Sequence, residues 1–222
     1  MTARAERILV VAVAAVVACI VIALYVGFLM RSPRSVASPT SVRPERSAHL
    51  TLQTVGALGP HYENPDWVSY LARDDKGKWI HSTNLRVPAH ALVRVTIRQY
   101  DTATGLRNPF FARPQGTVGG VIRIDGKAVD VIDPNHTSHT FAIPQLGVFV
   151  PLPGVADDAK NQCGAAPCTR AQAHRTITFT FRTGARGRYR WQCFVPCAAG
   201  FLSGFGGPMQ RFGYMDGYLN VV

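Results

Sequence analysis

Residues 8–30, close to the N-terminus, form an uninterrupted apolar run that contains no charged side chain. A helix of about 23 residues is roughly 35 Å long at 1.5 Å per residue, enough to cross a bilayer core of about 30 Å. The run is longer than the apolar core of a cleaved signal peptide, and Arg31 follows it directly. The pattern therefore predicts an uncleaved anchor that contacts the lipid bilayer, preceded by a short basic N-terminus at residues 1–7.

Beyond the run, apolar and polar residues alternate with a period of two in several short segments, which is typical of strands. The clearest are HLTLQTV from His49, LVRVTIRQ from Leu92, TITFTF from Thr176 and RYRWQC from Arg188. Asp125-Gly126 marks a hairpin between two further short strands. Residues 67–72 also allow a short helix. We predict an all-β antiparallel β-sandwich at residues 49–222, as several short strands with turn signals between them suggest a sandwich or barrel.

Residues 31–48 are rich in Ser, Pro and Arg and show no apolar periodicity. Such a composition predicts a flexible tether between the anchor and the domain. Arginines lie on both sides of the apolar run, so charge alone does not give a clean orientation. Long domains cross membranes largely regardless of charge, and paired cysteines favour an oxidising compartment. We therefore expect a single-pass protein of the cell membrane with its C-terminal domain extracytoplasmic.

The chain carries 24 Lys and Arg against 13 Asp and Glu, for a net charge of +11. This balance suits nucleic acid, anionic lipid or an acidic protein partner. The arginines are scattered along strands and tails, however, with no basic helix and no nucleic-acid motif, so we predict no nucleic-acid partner. The sequence also lacks a nucleophile elbow and a glycine-rich phosphate loop, which argues against the enzyme classes that need them.

Four of the five cysteines form two close pairs, while Cys19 lies inside the apolar run. Cys163 and Cys168 lie in the segment NQCGAAPC, where a disulfide that staples the loop is the simplest interpretation. Cys193 and Cys197 form the second pair. For them the residues leave two alternatives open, a disulfide or metal ligation.

Three segments, in order, carry a resemblance to a known family: NLRVPAHALVRVTIRQYD, HTFAIPQLGVFVPLPG and GRYRWQCFVPC. They resemble landmarks of the cupredoxin domain of cytochrome c oxidase subunit II. The resemblance covers residues 84–222, interrupted by insertions at residues 101–134 and around residues 157–174. It implies a copper cofactor. Residue by residue, it implies that His139 is the first histidine ligand, that Cys193 and Cys197 are the bridging cysteines, and that the carbonyl of Val195 is a weak ligand.

The resemblance breaks after the second cysteine. Phe201 stands where the family has its second histidine ligand, and Gly204 stands where it has a methionine. Met209, displaced by an insertion, is the nearest replacement for the methionine. His136 or His174 supplies a second imidazole only if its loop folds back. The predicted metal site is therefore His139, Cys193, Cys197 and Met209, whose sulfur donors favour copper and especially copper(I).

Two functions follow from the resemblance. The first is a membrane-anchored cupredoxin-like protein that binds copper or transfers electrons outside the membrane, with a respiratory complex or a redox protein as its partner. It has no catalytic activity of its own, except as an electron-transfer subunit of an oxidase. One predicted transmembrane helix, where the family usually has two, argues against a true oxidase subunit. The alternative is a metal-free accessory or assembly protein of a respiratory complex, in which Cys193 and Cys197 form a disulfide.

Overall fold

The computed structural model describes residues 3–29, 37, 41–43, 47–105, 108–197 and 207–222. The chain divides into two compact units, Met1–Arg31 and Ser32–Val222. The first unit contains helix α1, Ala3–Leu29, as the apolar run predicts. Its stretch Arg7–Gly27 is 21 residues long, contains an 18-residue window with a mean hydropathy of 3.1, and is long and apolar enough to cross a membrane. A signal sequence near an N-terminus has the same properties.

The described part of the second unit is built from strands and short 3-10 turns. Its strands are β1 Ser41–Arg43, β2 Ser47–Val55, β3 Ser69–Arg73, β4 Trp79–Ile80, β5 Asn84–Val87, β6 Leu92–Gln99, β7 Ile122–Ile124, β8 Lys127–Val129, β9 Thr137–Ile143, β10 Val148–Pro153, β11 Arg175–Arg182, β12 Gly187–Gln192 and β13 Asp216–Val221. The larger sheet has the order β4-β3-β2-β6-β11-β7-β8, with β1 beside β2. The smaller sheet has the order β10-β9-β12-β13-β5. The predicted all-β sandwich with one N-terminal helix is confirmed.

Each sheet is antiparallel except for one pair of strands. Strands β2 and β6 run parallel in the larger sheet, and β13 and β5 run parallel in the smaller one. The sandwich is antiparallel, as predicted, apart from these two parallel pairs. Parallel neighbours need a long connection, and β2 and β6 are joined through three intervening strands. A period of two in the sequence is the same for both strand directions, so it does not reveal this difference.

The alternation in the sequence places the core between the two sheets. Phe179 of β11 pairs with Val95 of β6, and both side chains point inward and are buried. From the smaller sheet, Phe141 of β9 meets Phe179 with ring centroids 5.7 Å apart and stacks on Trp191 of β12 at 5.0 Å. Tyr70 packs edge-on against Trp191 at 4.9 Å. These buried aromatic rings hold β9 and β12 in place behind the cysteine loop.

Two local predictions have different outcomes. The hairpin at Asp125-Gly126 is confirmed, since β7 and β8 pair around these residues and both have positive φ angles, 50° and 84°. The helical alternative at residues 67–72 is wrong. Ser69–Arg73 forms strand β3, in which Ala72 pairs with Leu52 of β2. The reason is tertiary, because pairing with a neighbouring strand overrides a weak local preference.

The described part of residues 31–48 is paired with the domain, which corrects the prediction of a flexible tether there. Ala37 is 1% exposed, and its backbone N–H donates to the carbonyl of Asn84 at 2.7 Å. Strand β1 pairs with the start of β2, which begins at Ser47 rather than at residue 49. Backbone hydrogen bonding does not depend on side-chain composition, so Ser- and Arg-rich segments can pair with a sheet edge.

A second, smaller core packs beside β2 and β3 and contains the first cysteine pair. Cys163 and Cys168 form a disulfide with a Cα–Cα distance of 5.9 Å, as the sequence predicts. Cys168 is buried with Leu58, Leu71 and Tyr100. Its backbone N–H donates to the buried side chain of Gln53 at 2.8 Å. The disulfide thus closes the inserted loop on itself, and the hydrogen bond from Cys168 to Gln53 attaches the loop to β2 of the larger sheet.

Candidate metal centre

Three predicted ligands converge at one end of the smaller sheet. His139 lies on β9, and Cys193 follows the last residue of β12, which pairs with β9 through Gln192 and Ala142. The backbone N–H of Cys193 donates to the carbonyl of Met215 at 2.8 Å, so the start of the cysteine loop is held by the chain leading into β13. The cysteine loop therefore begins at the end of β12 and precedes β13 in the chain.

The three side chains form a compact donor set. His139 Nδ1 lies 2.9 Å from Cys197 Sγ and 4.0 Å from Cys193 Sγ, and the two sulfur atoms are 3.5 Å apart. The exposed fractions of the three residues are 1%, 1% and 5%. Among the described His, Cys, Asp and Glu residues, this is the one group in which three potential ligand atoms lie close enough to hold a metal ion, within 4.8 Å of one another.

Cys193 and Cys197 are free thiols in this structure. Their sulfur separation of 3.5 Å is well above the disulfide bond length of about 2.05 Å. The alternative of a Cys193–Cys197 disulfide is therefore not the arrangement found here. The buried sulfur atoms instead face the imidazole, as metal ligation requires.

Backbone and hydroxyl groups around Cys193 fix its sulfur. The backbone N–H of Thr140 points to Cys193 Sγ at 3.3 Å, and the Thr140 hydroxyl oxygen lies 3.8 Å from it. The same hydroxyl accepts from the backbone N–H of Phe194 at 2.8 Å. The carbonyl oxygen of Val195 lies 3.7 Å from Cys193 Sγ and accepts from the N–H of Cys197. N–H donation to sulfur stabilises a thiolate, which is the form of cysteine that binds metals.

Asp101 is a site residue that the sequence analysis did not identify. Its Oδ2 lies 3.0 Å from His139 Nε2, on the side of the ring opposite the sulfur atoms. Asp101 comes two residues after the end of β6 and starts the long loop that the sequence analysis treated as an insertion. The available signal was an acidic residue directly after a strand of period two, but this signal does not say which side chain the acid contacts.

His139 and the two cysteines shift one another's pKa values. Burial acts to lower the pKa of His139, yet hydrogen bonds with Asp101 and Cys193 raise it to about 9. Burial acts to raise the pKa of Cys193, but hydrogen bonds with Cys197 and His139 hold it well below its ordinary value. Cys193 also raises the pKa of Cys197, with burial adding to the effect. The metal-free cluster thus favours an imidazolium beside the Cys193 thiolate, and a metal ion must displace protons to bind.

The other predicted side-chain donors are Met209, His136 and His174. Met209 is half-buried and packs against the main core, which includes both cysteines; its role as a ligand stays a prediction. His136 is exposed and lies near Asp133. His174 stacks on Tyr100 at 5.2 Å. Neither histidine belongs to the three-residue cluster.

Phe201 and Gly204, the positions at which the sequence departs from the oxidase subunit pattern, lie outside the described residues. The departure is therefore a fact of the sequence alone.

No protein-family model matches the chain, and no curated protein matches it. Among solved structures, the copper protein rusticyanin is 15% identical, with 90% of this chain and 91% of that chain covered at a TM-score of 0.35. A second rusticyanin structure, from Thiobacillus ferrooxidans, is 14% identical, covers 90% of both chains and has a TM-score of 0.33. A multicopper oxidase is 10% identical, with 81% of this chain and 45% of that chain covered at 0.31.

Scores this low carry no argument about what this chain binds. In this chain the histidine strand β9 lies beside β12, and the cysteine loop follows β12.

The donor set fits copper. Two thiolates and one imidazole are soft and borderline ligands, the kind that select copper(I) and zinc over hard cations. In tetrahedral zinc sites, metal–ligand bonds of roughly 2.0–2.3 Å bring the ligand atoms to within about 4 Å of one another. The three separations measured here, 2.9, 3.5 and 4.0 Å, are of that size. A metal-binding histidine usually donates its other ring N–H to a carboxylate, as His139 can to Asp101.

Proposed function

We propose that this protein is a membrane-anchored copper protein whose cupredoxin-like domain transfers electrons or handles copper outside the membrane. His139, Cys193 and Cys197 are the ligands, and Met209 is a weaker fourth donor. The observation that carries the proposal is the convergence of one imidazole nitrogen and two thiol sulfurs within 4.8 Å in the buried end of a β-sandwich. The finer likeness to cytochrome c oxidase subunit II belongs to the proposal and rests on the sequence landmarks.

The site suits a metal that changes oxidation state without moving its ligands. When bound, copper supplies the interconversion of copper(I) and copper(II). His139 is fixed by β9 and Asp101, while Cys193 is fixed by hydrogen bonds to its backbone and sulfur. Ligands held in this way reorganise little when the charge of the metal changes, which favours electron transfer. Burial of the three donors also keeps bulk water away from the thiolates.

The proposed location rests on α1. The helix acts as an uncleaved, single-pass anchor in the cell membrane, with the domain on the extracytoplasmic side. The length and hydropathy of Arg7–Gly27 support this location, as does the disulfide between Cys163 and Cys168, which forms in oxidising compartments. The partner is a redox protein or a respiratory complex that exchanges electrons or copper with the domain.

The first test is copper binding by the full chain in detergent, purified under reducing conditions. Copper(II) is titrated while the visible spectrum and the bound copper per chain are recorded, and copper(I) affinity is measured anaerobically by competition with a chromogenic chelator. We expect stoichiometric copper and intense thiolate-to-copper absorption. Cys193→Ser, Cys197→Ser and His139→Ala each remove most of the affinity. The matched controls Cys19→Ser and His136→Ala leave affinity unchanged, because one lies on α1 and the other is exposed.

Two results overturn the proposal. If the wild-type chain binds no copper and air oxidation joins Cys193 to Cys197, the metal-free accessory or assembly function takes its place. If zinc binds stoichiometrically and copper at equal concentration does not displace it, the site is a zinc site. Alkylation followed by mass spectrometry reports the state of the two thiols in each case.

A further inference from the structure

The imidazole of His139 lies between a cysteine sulfur on one side and a carboxylate on the other. Its Nδ1 faces the sulfur of Cys197 at 2.9 Å, and its Nε2 faces Oδ2 of Asp101 at 3.0 Å. A carboxylate accepts hydrogen bonds, so Nε2 keeps its proton, and Nδ1, which faces the sulfur atoms, is the nitrogen that gives up its proton when a metal binds. The contact with Asp101 therefore decides which nitrogen is presented to a metal.

Asp101 is itself fixed on several sides. Its Oδ1 accepts from the backbone N–H of Thr102 at 2.8 Å, and its carbonyl accepts from the N–H of Val155 at 3.0 Å. The side-chain amide of Gln99 donates to the same carbonyl at 3.4 Å. Gly56 leaves space for the carboxylate, since a Cβ at that residue would lie 2.9 Å from Oδ1. The carboxylate is thus placed by β2, β6 and the loop after β6 together.

Asp101 lies on the solvent-facing side of the metal-ligand cluster. The His139 side chain is 1% exposed, whereas the Asp101 side chain is 30% exposed. No other carboxylate of the described residues contacts the ring in a hydrogen bond or ion pair. A negative charge next to a ligand imidazole makes the nitrogen a stronger donor and stabilises the more highly charged state of a bound metal.

We propose that Asp101 is a positioning residue that presents Nδ1 of His139 to copper and lowers the reduction potential of the site. The proposal rests on the copper function proposed above. It gives the long loop after β6 a role, because the loop begins at the residue that aligns the histidine ligand. The Asp101 side chain has two effects in this proposal: it orients the imidazole ring of His139, and it places a negative charge behind that ring.

Two substitutions separate these effects. Asp101→Asn keeps an acceptor oxygen for Nε2–H and removes the charge. We expect it to retain the visible spectrum and stoichiometric copper, and to shift the reduction potential upward. Asp101→Ala removes the acceptor as well, and we expect its copper(I) affinity to fall about 10–100-fold. The control is Asp133→Asn, which affects a carboxylate beside the exposed His136 and should change neither quantity.

A third substitution acts without touching the histidine. Gly56→Ala places a methyl group against Oδ1 of Asp101 and must displace the carboxylate. We expect a smaller loss of affinity than in Asp101→Ala, in the same direction. A potential and an affinity that stay at wild-type values in Asp101→Asn, Asp101→Ala and Gly56→Ala would overturn the proposal.

A measurement on the metal-free protein keeps this test separate from the copper function. In nitrogen-15 NMR of the copper-free chain, we expect His139 to carry a proton on Nε2 in the wild type, and its ring signals to shift in Asp101→Ala. Unchanged ring signals in Asp101→Ala overturn the positioning role, whether or not copper binds. Shifted ring signals in a chain that binds no copper uphold the Asp101–His139 contact, but they overturn the copper function and with it the effect of Asp101 on a reduction potential.

Discussion

The Nδ1 atom of His139 lies 2.9 Å from the sulfur of Cys197, although 58 positions separate the two residues in the sequence. The contact depends on the pairing of β9 with β12, which brings the histidine strand to the start of the cysteine loop. Because both groups are buried, their chemistry is decided by each other and by Asp101 rather than by solvent. This pair is the centre of the proposed copper site, and the predictions below test the structure around it.

The role of Met209 as a fourth donor is open to a direct test. A thioether is a soft, weak copper ligand, and leucine replaces methionine at little cost in packing. We expect Met209→Leu to reduce copper(I) affinity about tenfold and to alter the visible spectrum. The matched control is Met215→Leu, which changes a fully buried methionine of the same core. Equal affinities of the wild type and Met209→Leu would remove Met209 from the ligand set.

The stability of the domain should depend on pH through His81. Burial among aromatic rings lowers the pKa of His81 to about 4, and its Nε2 lies 3.0 Å from the hydroxyl of Ser69. The unfolded chain takes up a proton near 6.5, whereas the folded chain does so only near 4. The contribution is therefore fully present above pH 6.5 and is lost as the pH falls towards 4, by on the order of 2–3 kcal/mol.

The measurement is urea unfolding at several pH values, followed by tryptophan fluorescence, for the wild type and His81→Gln. The difference in free energy of unfolding between them should shrink as the pH falls through this window. An NMR titration should give His81 a pKa near 4. A difference that does not change with pH, or a pKa of His81 near 6.5, would contradict the prediction.

Removing the Cys163–Cys168 disulfide should weaken the domain without affecting the metal centre. The bond closes a loop with a sequence separation of 5 residues, and loop-closure entropy for so short a loop gives about 2 kcal/mol. We expect the double variant Cys163→Ala/Cys168→Ala to lose about that much free energy of unfolding. Its copper stoichiometry should equal that of the wild type. Loss of copper in this variant would mean that the disulfide loop supports the metal centre.

Gly217 of β13 should not tolerate a side chain. A Cβ at this residue would collide with the carbonyl oxygen of Thr83, which is held in place by hydrogen bonds from Trp191 Nε1 and the backbone N–H of Tyr218. We expect Gly217→Ala to lower the free energy of unfolding by roughly 1–3 kcal/mol. Gly187→Ala on neighbouring β12 is the control, because its Cβ would make ordinary contact with the ring of Tyr189. Equal stabilities of the two variants would contradict the prediction.

Much of the fold could be predicted from the chain. The period of two places Val95 and Phe179 on inward faces, and Asp125-Gly126 supplies the turn that a two-residue hairpin needs. An apolar run without charge predicts α1. These features are local, since each depends on the order of side chains within a few residues. Sequence and structure differ at residues 67–72 and in the described part of residues 31–48, where the backbone pairs with other strands of the domain.

In the candidate site, too, some features could be predicted from the sequence and others only from the tertiary structure. The resemblance of three sequence segments to the oxidase subunit pointed to His139, Cys193 and Cys197, and these residue types are soft or borderline metal ligands. Only the tertiary structure decided that the two sulfurs are free and face the imidazole, and that Asp101 lies behind it. The physical reason is that these contacts depend on strand pairing and on a loop that returns to β9. Spacing along a chain carries no information about which distant carboxylate a buried histidine will meet.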